Sequence, residues 1–181
     1  MALDSTPAVA AIGIIGQQDE PLHIALFPPH EDDLVDISYL LNSSLDIFDI
    51  RLRQKSVDQD LGLLHAIDER MSTYGWLTNT GMKFVIAIDM MGRPAAEQEP
   101  QSGTKPLPRI MGLRDADLKP AFRAVHAAYV ELLMNPFYTP EDRTPLQVMN
   151  QTGRGAEITS RRFKNEILRI GKTWYPGIIS I

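Results

Sequence analysis

The chain contains no cysteine. That absence removes disulfide staples, thiolate nucleophiles and cysteine-ligated zinc together, and it suits a reducing cytosol, where disulfides are rare. Basic residues are in the minority: 18 Lys and Arg against 23 Asp and Glu leave a formal charge of −5. Nucleic-acid binding depends on many cationic contacts with phosphates, so no nucleic-acid partner is expected. Long apolar runs are missing too. The longest, Ala8–Gly16, is far short of the roughly 20 residues a helix needs to cross a bilayer. Asp4 precedes it and no Lys or Arg does, so the positive start of a signal peptide is lacking. Nor is there a phosphate-binding P-loop, a dinucleotide glycine fingerprint or a nucleophile elbow. The histidines, His23, His30, His65 and His126, form no metal-binding pair at helical spacing. They read as structural or surface residues, and no metal or cofactor is expected.

What is present fits one domain over residues 1–181, since 181 residues with 44% hydrophobic content can bury a single core. Ala8–Gly16 predicts a strand buried on both faces, and Leu22–Phe27 a second strand paired with it. Over residues 32–55 the period changes. Leu34, Ile37, Leu41, Leu45, Phe48 and Leu52 make one helical stripe, with Leu40, Ile47 and Ile50 beside it. Asp32 and Asp33 stand where a helix start favours acids, and Arg51, Arg53 and Lys55 where its end favours cations. Leu61–Ala66, Thr73–Thr78 and Lys83–Asp89 read as three more strands, the last apolar enough to be central. Residues 91–112 hold five prolines or glycines between Pro94 and Pro108 and read as a loop insertion. A helix from about 116 to Met134 follows, with Leu118, Phe122, Val125, Tyr129 and Leu132 inward and Pro120 in or near its first turn. A second loop insertion is expected at 141–156. Ile158–Lys172 is a basic helix with Phe163, Ile167 and Ile170 inward, and Trp174 and Tyr175 packed beneath. The order β-β-α-β-β-β-α-α suits an α+β fold, a five-stranded antiparallel sheet flanked by helices.

With no catalytic set, the candidate functional residues are contact residues. Asp46 and Asp49 lie mid-helix and three apart, so they share a face. They are either a solvated surface or a charged contact with a partner. Asn135-Pro136-Phe137-Tyr138-Thr139-Pro140 is a stiff turn bearing two adjacent aromatics. It either offers them as anchors or folds them back to plug the end of the domain. Charge is unevenly spread as well. Residues 1–60 hold eleven acids against three bases, whereas residues 154–172 hold six bases against two acids. Such asymmetry can orient a protein against its partners.

The run Leu132-Leu133-Met134-Asn135-Pro136-Phe137-Tyr138-Thr139-Pro140 resembles the Asn-Pro-Phe-Tyr-x-Pro signature of the sedlin family, the small subunits of TRAPP, the transport protein particle. Ser44-Leu45-Asp46-Ile47-Phe48-Asp49 is similar to that family's first-helix segment. Tyr74-Gly75-Trp76-Leu77-Thr78-Asn79, followed by Met82-Lys83-Phe84-Val85, resembles the sedlin-like (TRAPP subunit 2-like) branch, and Ser160–Lys172 resembles the closing helix. The resemblance implies a longin (SNARE-like) fold. It further implies a non-catalytic assembly subunit of a complex that as a whole activates Rab GTPases in ER–Golgi traffic. Other TRAPP subunits would be the partners, Rab an indirect one, and the location cytoplasmic, peripheral to Golgi membranes. No cofactor and no catalytic residue comes with it. The family's first-helix acid corresponds to Asp46, implicated in partner contact. The departures are at 91–112, 141–156 and 173–181. Two other readings stay open: a longin-type trafficking protein outside TRAPP, like a small clathrin-adaptor subunit, and a small-molecule or lipid sensor.

Overall fold

The computed structural model describes residues 5–53, 60–94, 113–138 and 157–181. They form β1 (Ser5–Ile15), β2 (Pro21–Leu26), α1 (Leu34–Arg53), β3 (Asp60–Ala66), β4 (Met71–Leu77), β5 (Lys83–Pro94), α2 (Asp115–Leu133) and α3 (Arg161–Thr173). The strands make one sheet in the order β2-β1-β5-β4-β3, with every neighbouring pair antiparallel. This is the expected α+β, longin-like architecture, element for element.

Strand β5 is central because both its faces are apolar. Alternate residues of a strand point to opposite sides. Phe84, Ile86 and Ile88 join the core beneath α2 and α3, while Val85 and Ala87 join the core beneath α1. The helices thus sit on opposite sides of the sheet, α1 alone on one and α2 with α3 on the other. Gly75 of β4 lets α1 approach: a Cβ there would lie 2.7 Å from the Phe48 ring. At the far edge, the Arg51 guanidinium of α1 donates to the carbonyls of Leu61 and Leu63 in β3.

Several expectations shift. Strand β5 runs on to Pro94, because the start of β1 extends the ladder to Ser5↔Pro94 and Thr6↔Arg93. Residues 91–94 are therefore strand rather than loop; residues 95–112 and 141–156 lie outside the described residues. In α1 the buried line is Ile37, Leu40, Leu41, Ser44 and Phe48, whereas Leu34 and Leu52 are exposed. A helix of 20 residues is about 30 Å long, and its end turns overhang the packed core. Helix α2 begins at Asp115, so Pro120 lies in its second turn. There it leaves the Ala116 carbonyl without its usual i→i−4 donor.

Helix α3 starts later than its sequence suggests. Ser160 caps it, its hydroxyl accepting the Phe163 N–H at 3.4 Å. The preceding Ile158 is buried and its N–H donates to Leu22 of edge strand β2 at 2.8 Å. Trp174 is fully buried, its indole donating to the Asp117 carbonyl at 3.0 Å. Tyr175, expected beside it, remains largely exposed. No helix among the described residues is long and apolar enough to cross a membrane.

His23 of β2 is buried against the edge of Phe163, and its Nε2 has no hydrogen-bond partner. Burial, aided by the Lys164 charge, lowers its pKa from 6.5 to about 4. The unfolded chain therefore takes up a proton in this range before the folded one does. The contribution of neutral His23 to stability is complete above pH 6.5 and is lost as pH drops toward 4, by an amount on the order of 3 kcal/mol. The variant His23→Leu should lose most of that acid sensitivity, read as a flatter dependence of the urea midpoint on pH across this interval.

Candidate functional site

Helix α1 carries the first two candidate residues, and three polar attachments fix it on the sheet. At its start lies a charged cluster. Asp89, in the middle of β5, is fully buried and receives a forked contact from the Arg70 guanidinium at 2.7–3.0 Å. His30 Nε2 meets Asp89 at 2.8 Å, and His30 Nδ1 meets Asp33 at 2.8 Å. The Met91 N–H donates to Asp89 at 2.8 Å. Asp33 directly precedes the helix and its carbonyl accepts the Ile37 N–H at 3.0 Å. Its carboxylate serves His30 as a link between loop and strand. At mid-helix Ser44 Oγ reaches Thr73 Oγ1 at 3.1 Å. At the end, Arg51 holds β3.

Burial alone would push the Asp89 pKa up, but the Arg70 and His30 contacts and the Met91 amide outweigh it, leaving it below 3.8. For His30, burial opposes the charge while the hydrogen bonds to Asp89 and Asp33 raise the pKa above 6.5. Among the described residues no group is arranged to hold a metal ion. In this cluster both ring nitrogens are already engaged by carboxylates. The chemistry here is that of a staple.

On this frame Asp46 and Asp49 are both exposed. Neither forms an ion pair with another described residue. Around Asp46 the outer face of α1 is unusually apolar: Tyr39 is 72% exposed, and Val35 and Ile50 are also exposed. Asp49 lies toward the helix end and borders a groove of about 520 Å³.

The second candidate segment lies across the sheet, at the end of α2. Asn135 Oδ1 accepts the Phe137 N–H at 3.1 Å, and the Asn135 carbonyl accepts the Tyr138 N–H at 2.9 Å. This tight turn separates its two aromatics. Tyr138 packs against the core, while Phe137 is 93% exposed. Asn135 and Pro136, just before them, are exposed. Val130, Leu133 and Met134 of α2 continue the exposed apolar surface beside Phe137. Asp46 and Asp49 are thus not brought together with residues 135–138. The candidates form two surfaces on opposite faces.

Asp89, His30 and Arg70 escaped the sequence reading. Their one signal was an acid closing the apolar run Phe84–Ile88. Removing the Asp89 carboxylate leaves His30 and Arg70 without their shared acceptor, so Asp89→Ala should cost about 3 kcal/mol or more in urea unfolding. Asp46→Asn, on the exposed face, should cost less than about 0.5 kcal/mol. The cluster is also pH-bounded. The His30 contribution is complete below pH 6.5 and is lost as pH rises through its elevated folded value. The Asp89 contribution is complete above pH 3.8 and is lost as pH falls through its depressed one. In His30→Gln, the decline in stability on the alkaline side should disappear.

A family model described as Sedlin matches residues 14–173. A protein of Bos taurus named trafficking protein particle complex subunit 2-like protein is 30% identical over 138 residues, 73% of this chain and 84% of the relative. Its namesake in Xenopus tropicalis is 29% identical over 142 residues, 75% of this chain and 86% of the relative. That of Dictyostelium discoideum is 25% identical over 140 residues, with the same shares of 75% and 86%. The Sedlin match starts within β1 and ends with the last residue of α3, so it takes in the cores on both faces of the sheet. The chain belongs to the sedlin family.

Proposed function

We propose that this chain is a non-catalytic assembly subunit of the trafficking protein particle complex. The observation that carries the reading is the name shared by the three relatives, each aligned over about three quarters of this chain. The exposed face of α1, with Asp46 beside Tyr39 and Ile50, supports it: exposed apolar surface rimmed by charge is a feature of protein-contact sites. So does the Phe137 turn, a rigid aromatic projection of the kind that anchors interfaces. On this reading the subunit belongs to the TRAPP II form and joins its specific large subunits to the core. Asp46, Asp49 and residues Asn135, Pro136, Phe137 and Tyr138 contribute the contacts. Nucleotide exchange on the Rab GTPase is a property of the whole assembly. The chain works in the cytoplasm, at the surface of Golgi and ER–Golgi membranes.

Affinity capture of the tagged chain from its own cells, followed by mass spectrometry, tests the proposal. Other subunits of the complex should be recovered; their complete absence would sink it. Asp46→Tyr should reduce that recovery severalfold while the purified variant melts within about 2 °C of the wild type, since an exposed helical position tolerates bulk. A large drop in melting temperature would instead make Asp46 a structural residue.

A further inference from the structure

The groove beside Asp49 has walls of unequal character. Asp49 and Leu52 of α1 form one side. The other side is made by Gln17 and Asp19 of the β1–β2 turn, Leu77 and the 79–81 turn between β4 and β5, and Lys83. The two turns are tied together. The Gln17 side-chain amide donates to the Thr80 carbonyl, and the Lys83 ammonium pairs with Asp19. The Thr78 and Thr80 hydroxyls lie 2.9 Å apart, and the Gly81 N–H donates to Thr78 at 3.0 Å. That wall is built before any partner arrives.

The charges in the groove are not balanced. Among the described residues Lys83 is the one cation of the lining, and its buried amine is already committed to Asp19. Asp49 is exposed and has no ion-pair partner among the described residues. Arg51, the next cation along α1, is turned away onto the carbonyls of Leu61 and Leu63, and Arg53, one helical turn beyond Asp49, forms no ion pair with it. The C-terminal end of a helix adds partial negative charge to the same corner. The result is a carboxylate with no ion-pair partner among the described residues, at the rim of a slot flanked by Leu52 and Leu77. An arginine side chain matches both features. Its methylene stem covers apolar wall, and its planar guanidinium binds a carboxylate through two parallel hydrogen bonds. We propose that this groove receives an arginine side chain of a partner protein, with Asp49 as the acceptor.

The inference rests on the reading of α1 as a docking face. Its test uses the purified full chain, so it can fail while capture of complex subunits succeeds, and the reverse. The ¹⁵N-labelled chain is titrated at low salt with the peptide acetyl-Gly-Arg-Gly-amide, and amide shifts are followed. A second titration uses the neutral isostere with citrulline in place of arginine. Saturable shifts are expected at the amides of 17–19 and 77–83. Binding should be weaker by about fivefold both for the citrulline peptide and for Asp49→Asn. Absence of a saturable response, equal binding of the citrulline peptide, or undiminished binding by Asp49→Asn would each overturn the proposal. The citrulline comparison on the wild type decides the matter even where the variant folds poorly.

Discussion

A carboxylate with no exposure to water must be fully answered by its surroundings, and Asp89 sets that demand in the middle of the central strand. An isolated charge in a protein interior costs many kcal/mol; a charge met by a guanidinium, an imidazole ring and a backbone amide is tolerable. Meeting the demand recruits three parts of the chain. Arg70 comes from the β3–β4 turn, His30 from the passage between β2 and α1, and Asp33 stands directly before α1. One buried group thus registers the sheet, a hairpin and the first helix against each other. The apolar core holds α1 to the sheet face, but oil-like contact leaves sliding and rotation inexpensive. The polar attachments at both ends and the Ser44–Thr73 contact remove that freedom. The outer face of α1 is consequently presented at a fixed height and angle.

The two candidate surfaces lie on opposite sides of the sheet, one on α1 and one at the end of α2. The assembly role proposed above would benefit from this placement. Partners can dock on both sides without competing for space, and the stiff sheet between them fixes their relative orientation. The surfaces also differ in chemistry. The α1 face mixes carboxylates with Tyr39 and Ile50, which rewards a basic, partly apolar partner. The surface around Phe137, Met134 and Leu133 is mainly apolar and rewards shape.

Local patterns exposed most of the architecture. The nearly unbroken apolar run of β5 and the three-to-four-residue spacing in α1, α2 and α3 each depend on neighbours in sequence, so they could be read directly. The ends of elements could not. Pro94 is strand only because Ser5 pairs with it across the molecule, and Leu34 is exposed only because the core stops short of it. The charged cluster was hidden for the same reason. His30 and Asp89 are 59 residues apart, and Arg70 and Asp89 are 19 apart, so no window of sequence holds them together. Asp46 and Asp49 were visible as acids sharing a helix face. That Asp49 borders a groove depends on two distant turns, and no spacing rule announces it. The aromatic pair shows the limit most plainly: adjacent residues with similar side chains take opposite roles, Tyr138 inward and Phe137 outward.

The guanidinium of Arg51 lying along β3 has a consequence for the chain before it meets any partner. An edge strand with free carbonyls is a template on which another strand can grow, the first step toward sheet-to-sheet aggregation. With the Leu61 and Leu63 carbonyls already accepting from Arg51, an incoming strand finds two of its anchoring points taken and a positive charge in its path. That edge of the sheet is thereby blunted against pairing with a second copy of the chain. The protecting residue sits two positions beyond Asp49, so the edge guard and the groove proposed to receive a partner share a single turn of helix.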